Sequence, residues 1–171
     1  MKFNGLKILF IIFICSGLTA QNRINASVSI SVSLIKGLSL NMLKSNLDFG
    51  EIILSPMMNK ITKDAKDGIL FEVAGDPGKS VTINFSPIQL SNTDWAKNFG
   101  SPESQIDFIP NVFVSQSSDL SKTQSIFSGS AVNLSKENDG KLYVGIGGDL
   151  NLPNNQLFGD YSGNFSLTVA Y

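Results

Sequence analysis

Asp149, Asn151, Asn154 and Asn155 form a cluster of side-chain oxygens, and such oxygens are the ligands a calcium ion takes. The four lack the ordered spacing of a calcium loop, so polar turn chemistry fits them better. Just ahead of them, Gly145-Ile146-Gly147-Gly148 has the composition of a phosphate-cradling loop. Such a loop must follow a strand and open a helix. These glycines sit inside a strand pattern, where they signal a bulge or a close backbone approach. Ten Asp and four Glu could supply a glycosidase pair, yet most fall in turns or on strand exteriors, and no spacing selects two. The chain has no His, and its one Cys, Cys15, lies in an N-terminal leader. Ser-His-Asp and Cys-His catalysis are therefore excluded for the mature chain, as are His- or Cys-ligated zinc and copper sites. Trp95 and Phe99 could form a carbohydrate platform, against the plainer reading of a loop aromatic folded onto the core. The expectation is a protein that is not an enzyme and uses no metal or cofactor.

The elements that must position these residues read as β-strands. Residues 27–35 alternate, with Val28, Ile30, Val32 and Leu34 on one face and serines on the other. At the other end, Phe165, Leu167, Val169 and Tyr171 alternate with Ser166, Thr168 and Ala170 behind the turn cluster 159–163. A period of two with β-branched and aromatic residues predicts half-buried strands. The terminal one closes the chain on an aromatic residue, and the fold is expected to depend on it. Further runs lie at 38–43, 47–54, 69–74, 80–85, 106–115, 131–134 and 141–152. Gly75-Asp76-Pro77-Gly78 predicts a tight reversal, and Asn138-Asp139-Gly140 a hairpin with a primed turn. Residues 55–67, with Lys60, Lys63 and Lys66, read as an exposed loop, and 86–104 as irregular with a short helix near 94–99. Residues 115–130 read as a Ser-rich mobile loop. About nine short strands parted by turns predict an all-β antiparallel sandwich of two sheets.

The N-terminus predicts export. Lys2 and Lys7 precede the apolar run 8–15 and the small-residue segment 16–20, the three parts of a secretory signal peptide. Cleavage is expected after Ala20, giving residues 1–20 as signal and 21–171 as a single secreted domain. The apolar run is well short of the roughly 18 residues that span a bilayer, so no integral membrane span is expected after cleavage. Ile14 stands where a lipoprotein signal would carry a small residue before Cys15. The mature chain keeps 11 basic residues, with Arg23 the only Arg, against 14 acidic ones, a net charge of −3. That balance does not suit nucleic acid, which needs clustered Lys and Arg. The expected location is the periplasm or outer surface of a bacterium.

Four motifs in one order carry a family resemblance: Leu47-Asp48-Phe49-Gly50, Phe71-Glu72-Val73-Ala74-Gly75, Tyr143-Val144-Gly145-Ile146-Gly147-Gly148, and Gly159-Asp160-Tyr161-Ser162-Gly163-Asn164-Phe165 through Tyr171. Together they resemble the bacterial secreted family known as domain of unknown function 4402. The resemblance implies an immunoglobulin-like sandwich akin to fimbrial subunits and spore-coat proteins. It implies no activity and no catalytic residue. The mature chain departs from many chaperone–usher pilins in having no cysteine for their disulfide.

These features favour a noncatalytic structural or adhesive surface protein, expected to associate with itself or with related surface subunits. A monomeric module for a glycan or another surface ligand is the alternative. In strand donation, residues 27–35 of one subunit would complete the sheet of the next. Val28, Ile30, Val32 and Leu34 would contribute about 6–12 kcal/mol if fully buried. Ordering some eight residues costs about 8–16 kcal/mol, so ladder hydrogen bonds of about 0.5–1.5 kcal/mol each must close the gap. The same residues also fit the first strand of their own sandwich, and the sequence leaves both pairings open.

Overall fold

The computed structural model describes residues 31–34, 36–55 and 59–171. It divides into two units, Met1–Leu34 and Ile35–Tyr171. Of the first, residues 31–34 are described and carry no strand. Val28 and Ile30 lie outside the described residues.

The second unit is an all-β sandwich of two antiparallel sheets. The larger holds β1 (Ser39–Lys44), β3 (Ile69–Ala74), β9 (Lys141–Asn151), β6 (Gln105–Ser115) and β5 (Ile88–Ser91) in that order, with β2 (Lys60–Lys63) on β9 and β7 (Thr123–Ile126) on β6. The smaller holds β10 (Leu167–Ala170), β4 (Ser80–Phe85) and β8 (Ser130–Asn133), with β4 central. Alternation sets the core. Leu142, Val144, Ile146 and Leu150 of β9, Ile106, Phe108, Val112 and Val114 of β6, and Val81 and Ile83 of β4 are all buried. Each such side chain contributes about 1.5–3 kcal/mol. Both turn signals form, but neither closes a hairpin, because β3 and β4, and likewise β8 and β9, lie in different sheets. Asp139 and Gly140 both take positive φ, 46° and 76°, and the Lys141 N–H closes the turn on the Asn138 carbonyl at 2.9 Å.

β9 is the spine, and its glycines explain how neighbours reach it. β3 pairs with residues 141–146 and β2 with residues 148–151, both on the same edge. Between β2 and β3 the chain makes a 3₁₀ turn, Ala65–Asp67, with Ala65 buried. This excursion lies over Gly147, where a Cβ would overlap the Lys63 carbonyl and sit 2.6 Å from the Ala65 nitrogen. Gly147 is thus a close-approach glycine. Pro110 on β6 falls between the stretch paired to β5 and the stretch paired to β7, a gap in the ladder where a strand can accept a residue without an N–H.

Five expectations need correction. Residues 55–67 are not simply an exposed loop, because Lys60–Lys63 forms a ladder with β9 and Ala65 packs onto it. The stretches 86–104 and 115–130 each contain a short strand, β5 and β7, recruited by the long β6. Residues 47–54 join no ladder, since Gly50 turns at φ 68° and the Asp48 carboxylate accepts its N–H at 2.8 Å. Leu47, Phe49, Ile52 and Leu54 nevertheless pack on the core around Phe108, with the alternation shifted by one residue after Gly50, so that Ile53 is exposed. The terminal strand is ladder-paired only over Leu167–Ala170. The short helix α1, Thr93–Phe99, stands where it was expected.

Candidate functional site

β10 is an edge strand. Leu167, Thr168, Val169 and Ala170 pair with Phe85, Asn84, Ile83 and Thr82 of β4, and among the described residues no strand pairs with its other edge. Phe165, Leu167 and Val169 turn inward and pack on the main core cluster. Ser166, Thr168 and Ala170 are exposed. The expected face of the terminal strand is therefore brought together, with Tyr171 at its end. The Tyr171 hydroxyl accepts the Asp76 N–H at 2.7 Å and donates to the Lys36 carbonyl at 2.7 Å. This ties the end of β10 to the β3–β4 turn and to the chain entering β1.

β1 lies at the edge of the larger sheet and is exposed along its whole length. Met42, Phe71, Val144 and Val114 stand opposite one another across β1, β3, β9 and β6. Directly opposed residues share a face, so this row looks into the sandwich. Phe71, Val144 and Val114 are 8%, 0% and 4% exposed, whereas Met42 is 57% exposed. The neighbouring row repeats the contrast, with Val73 and Leu142 buried and Leu40 40% exposed. Both core-facing rows are thus buried at β3 and exposed at β1. The sequence reading placed a strand here but did not single out these two residues, although their alternation with Ser39 and Asn41 was visible. Of the N-terminal face, Val32 and Leu34 are exposed.

Trp95 and Phe99 meet on one side of α1, ring centroids 4.2 Å apart and tilted by 34°. The Trp95 ring covers Gly159, whose added Cβ would come within 2.8 Å of it. Trp95 is half-buried and Phe99 is 66% exposed. The pair is both a packed aromatic and an exposed ring.

Among the described residues, ion pairs join Lys36 to Asp139, Lys60 to Asp149 and Lys141 to Glu72. Burial pushes the Asp149 carboxyl up, but hydrogen bonds from Lys60, Thr62 and Asn111 and the Lys60 charge outweigh it and hold the group below the usual carboxylate range. Thr62 donates at 2.6 Å and Lys60 pairs at 2.9 Å. Asp149 is thus tied into the β2–β9 ladder, while Asn154 and Asn155 are exposed. On the outer face, the Lys141 ammonium donates to Glu72 at 3.0 Å and lowers its pKa, with Tyr143 and Asn41 assisting. Lys63 donates to the Asp48 carbonyl. Among the described residues no helix is long and apolar enough to cross a membrane.

Residues 40–171 match the family model described as a domain of unknown function, DUF4402. The match begins one residue into β1 and runs through β10. No curated protein matches the chain.

Proposed function

The chain belongs to the DUF4402 family, and we propose that it is a noncatalytic, exported structural or adhesive subunit of the bacterial cell surface, fimbria-like in assembling through β-strand addition. The observation that carries this reading is the edge of β10 that, among the described residues, no strand pairs. An exposed strand edge is a template for another chain, and natural edges are usually blunted by Lys, Pro or bulges. Ser166, Thr168 and Ala170 offer none of these. The alternating, uncharged segment 27–35 has the pattern of a strand that would pair there, and the leader at residues 1–20 supplies a route out of the cell.

Light scattering on the mature form from Gln21 and on a form starting at Gly37 tests the reading. Heat-resistant oligomers of the first, and a soluble monomer of the second that binds a peptide of residues 27–35, are expected. A stable monomer from Gln21 and an unfolded form from Gly37 would instead make residues 27–35 the first strand of their own sandwich.

A second reading, a glycan-binding module, draws on the exposed Phe99 ring stacked on Trp95. Aromatic faces take apolar sugar faces. Glycan-array binding that is unchanged in Trp95→Ala would remove this site.

A further inference from the structure

We infer that Leu40 and Met42 floor a strand-wide groove beside the edge of β10 that is unpaired among the described residues, and that the groove takes residues 27–35 of a second copy of this chain. The inference rests on the strand-addition reading above and names its acceptor. Leu40 and Met42 are core-facing by register yet exposed, while their neighbours on β3 in the same rows are buried. Large side chains on a core face are ordinarily covered by the opposite sheet. Here that sheet ends at β10, and the Tyr171–Lys36 bond places the end of β10 beside the chain that leads into β1. One further strand on this edge of β10 would extend the smaller sheet over this uncovered part of β1.

The occupant is argued from its length, its pattern and its charge. Nine residues in extended form reach roughly 30 Å, enough to run the whole of residues 165–171. Val28, Ile30, Val32 and Leu34 supply an apolar row at the spacing of a strand face, with serines on the other side. Neither residues 27–35 nor the edge residues Ser166, Thr168 and Ala170 carry a charge, so nothing repels pairing. The floor is apolar to match. A second copy is free to pair antiparallel to β10, the slightly more stable ladder.

The mature chain has no cysteine, so engineered thiols report contacts directly. Met42→Cys protein is mixed in turn with Val28→Cys, Ile30→Cys, Val32→Cys and Leu34→Cys proteins, all starting at Gln21, and oxidised. At least one mixture is expected to give covalent dimer about tenfold above either protein alone. A monomeric intrachain disulfide in a double variant such as Val32→Cys/Met42→Cys, with no mixed dimer, would overturn the proposal by putting the chain's own segment in the groove. No disulfide in any arm would overturn the groove itself. Light scattering of the unsubstituted chain then separates the two failures. Persisting oligomers leave strand addition standing with another acceptor, and a monomer removes both.

Discussion

The Tyr171 hydroxyl donates to the Lys36 carbonyl at 2.7 Å across 135 residues of chain. It also accepts the Asp76 N–H at 2.7 Å, so one phenol joins the end of β10, the β3–β4 turn and the entry to β1. The ring holds the hydroxyl over Gly75, where an added Cβ would come within 2.6 Å of it.

Tyr171→Phe keeps the ring and removes both bonds. Each is worth about 0.5–1.5 kcal/mol net, and water can reach the freed groups, so a loss of about 1–2 kcal/mol is expected. For a domain of this size that lowers Tm by roughly 2–8 °C, readable by circular dichroism. An unchanged Tm would show that the phenol contributes no net stability.

Gly147→Ala tests the close approach on β9. The added Cβ overlaps the Lys63 carbonyl and crowds the Ala65 backbone, and backbone atoms cannot swing aside as a side chain can. Overpacking of this kind costs about 1–3 kcal/mol. Urea unfolding should move to a lower midpoint, and exchange of the β2 amides should speed up more than that of β4.

Acid should weaken the fold through Asp149. Its folded pKa is lowered from an unfolded value of about 3.9. The stability it contributes is therefore fully present above that value and is lost as pH falls through the folded pKa. Glu72 is lowered as well and acts in the same direction, whereas Lys141 is raised and loses its contribution only in strong alkali. Urea midpoints at pH 7 and pH 3 should differ for the natural chain, and the difference should shrink in Asp149→Asn.

Much of this architecture was legible because β3, β4, β6 and β9 alternate over six to eleven residues, and a period of two declares itself over such lengths. β7 was not, since Thr123-Gln124-Ser125-Ile126 has one apolar residue and exists because β6 offers it an edge. β2 was hidden by lysines that turn out to be engaged, Lys60 with Asp149 and Lys63 with the Asp48 carbonyl. The inward face of β10 was readable from Phe165, Leu167 and Val169. The exposure of Leu40 and Met42 was not, because it depends on how many strands lie opposite, and no local pattern encodes that number.

The two rings on α1 should respond differently. Trp95→Ala removes a half-buried ring from Gly159 and is expected to cost about 1–2 kcal/mol, below the about 3–5 of a fully buried aromatic. Phe99→Ala takes away a largely exposed ring and should stay within about 0.5 kcal/mol. Paired thermal melts decide this. If both variants melt like the natural chain, the Trp95 ring does not support the loop at Gly159.

Met42 and Phe71 stand directly opposite each other on one face, so their substitution separates packing within a subunit from packing between subunits. Phe71→Ala empties a buried site and should cost about 3–5 kcal/mol in any state of assembly. Met42→Lys changes a residue that is 57% exposed, and in a monomer it should stay within about 0.5 kcal/mol. In an assembled form the same lysine would be desolvated without a partner, which buried positions do not tolerate. Met42→Lys is therefore expected to fold normally and yet lose most of the oligomer, about tenfold or more, by light scattering. A Met42→Lys monomer that unfolds would instead mean that Met42 is already covered within its own subunit.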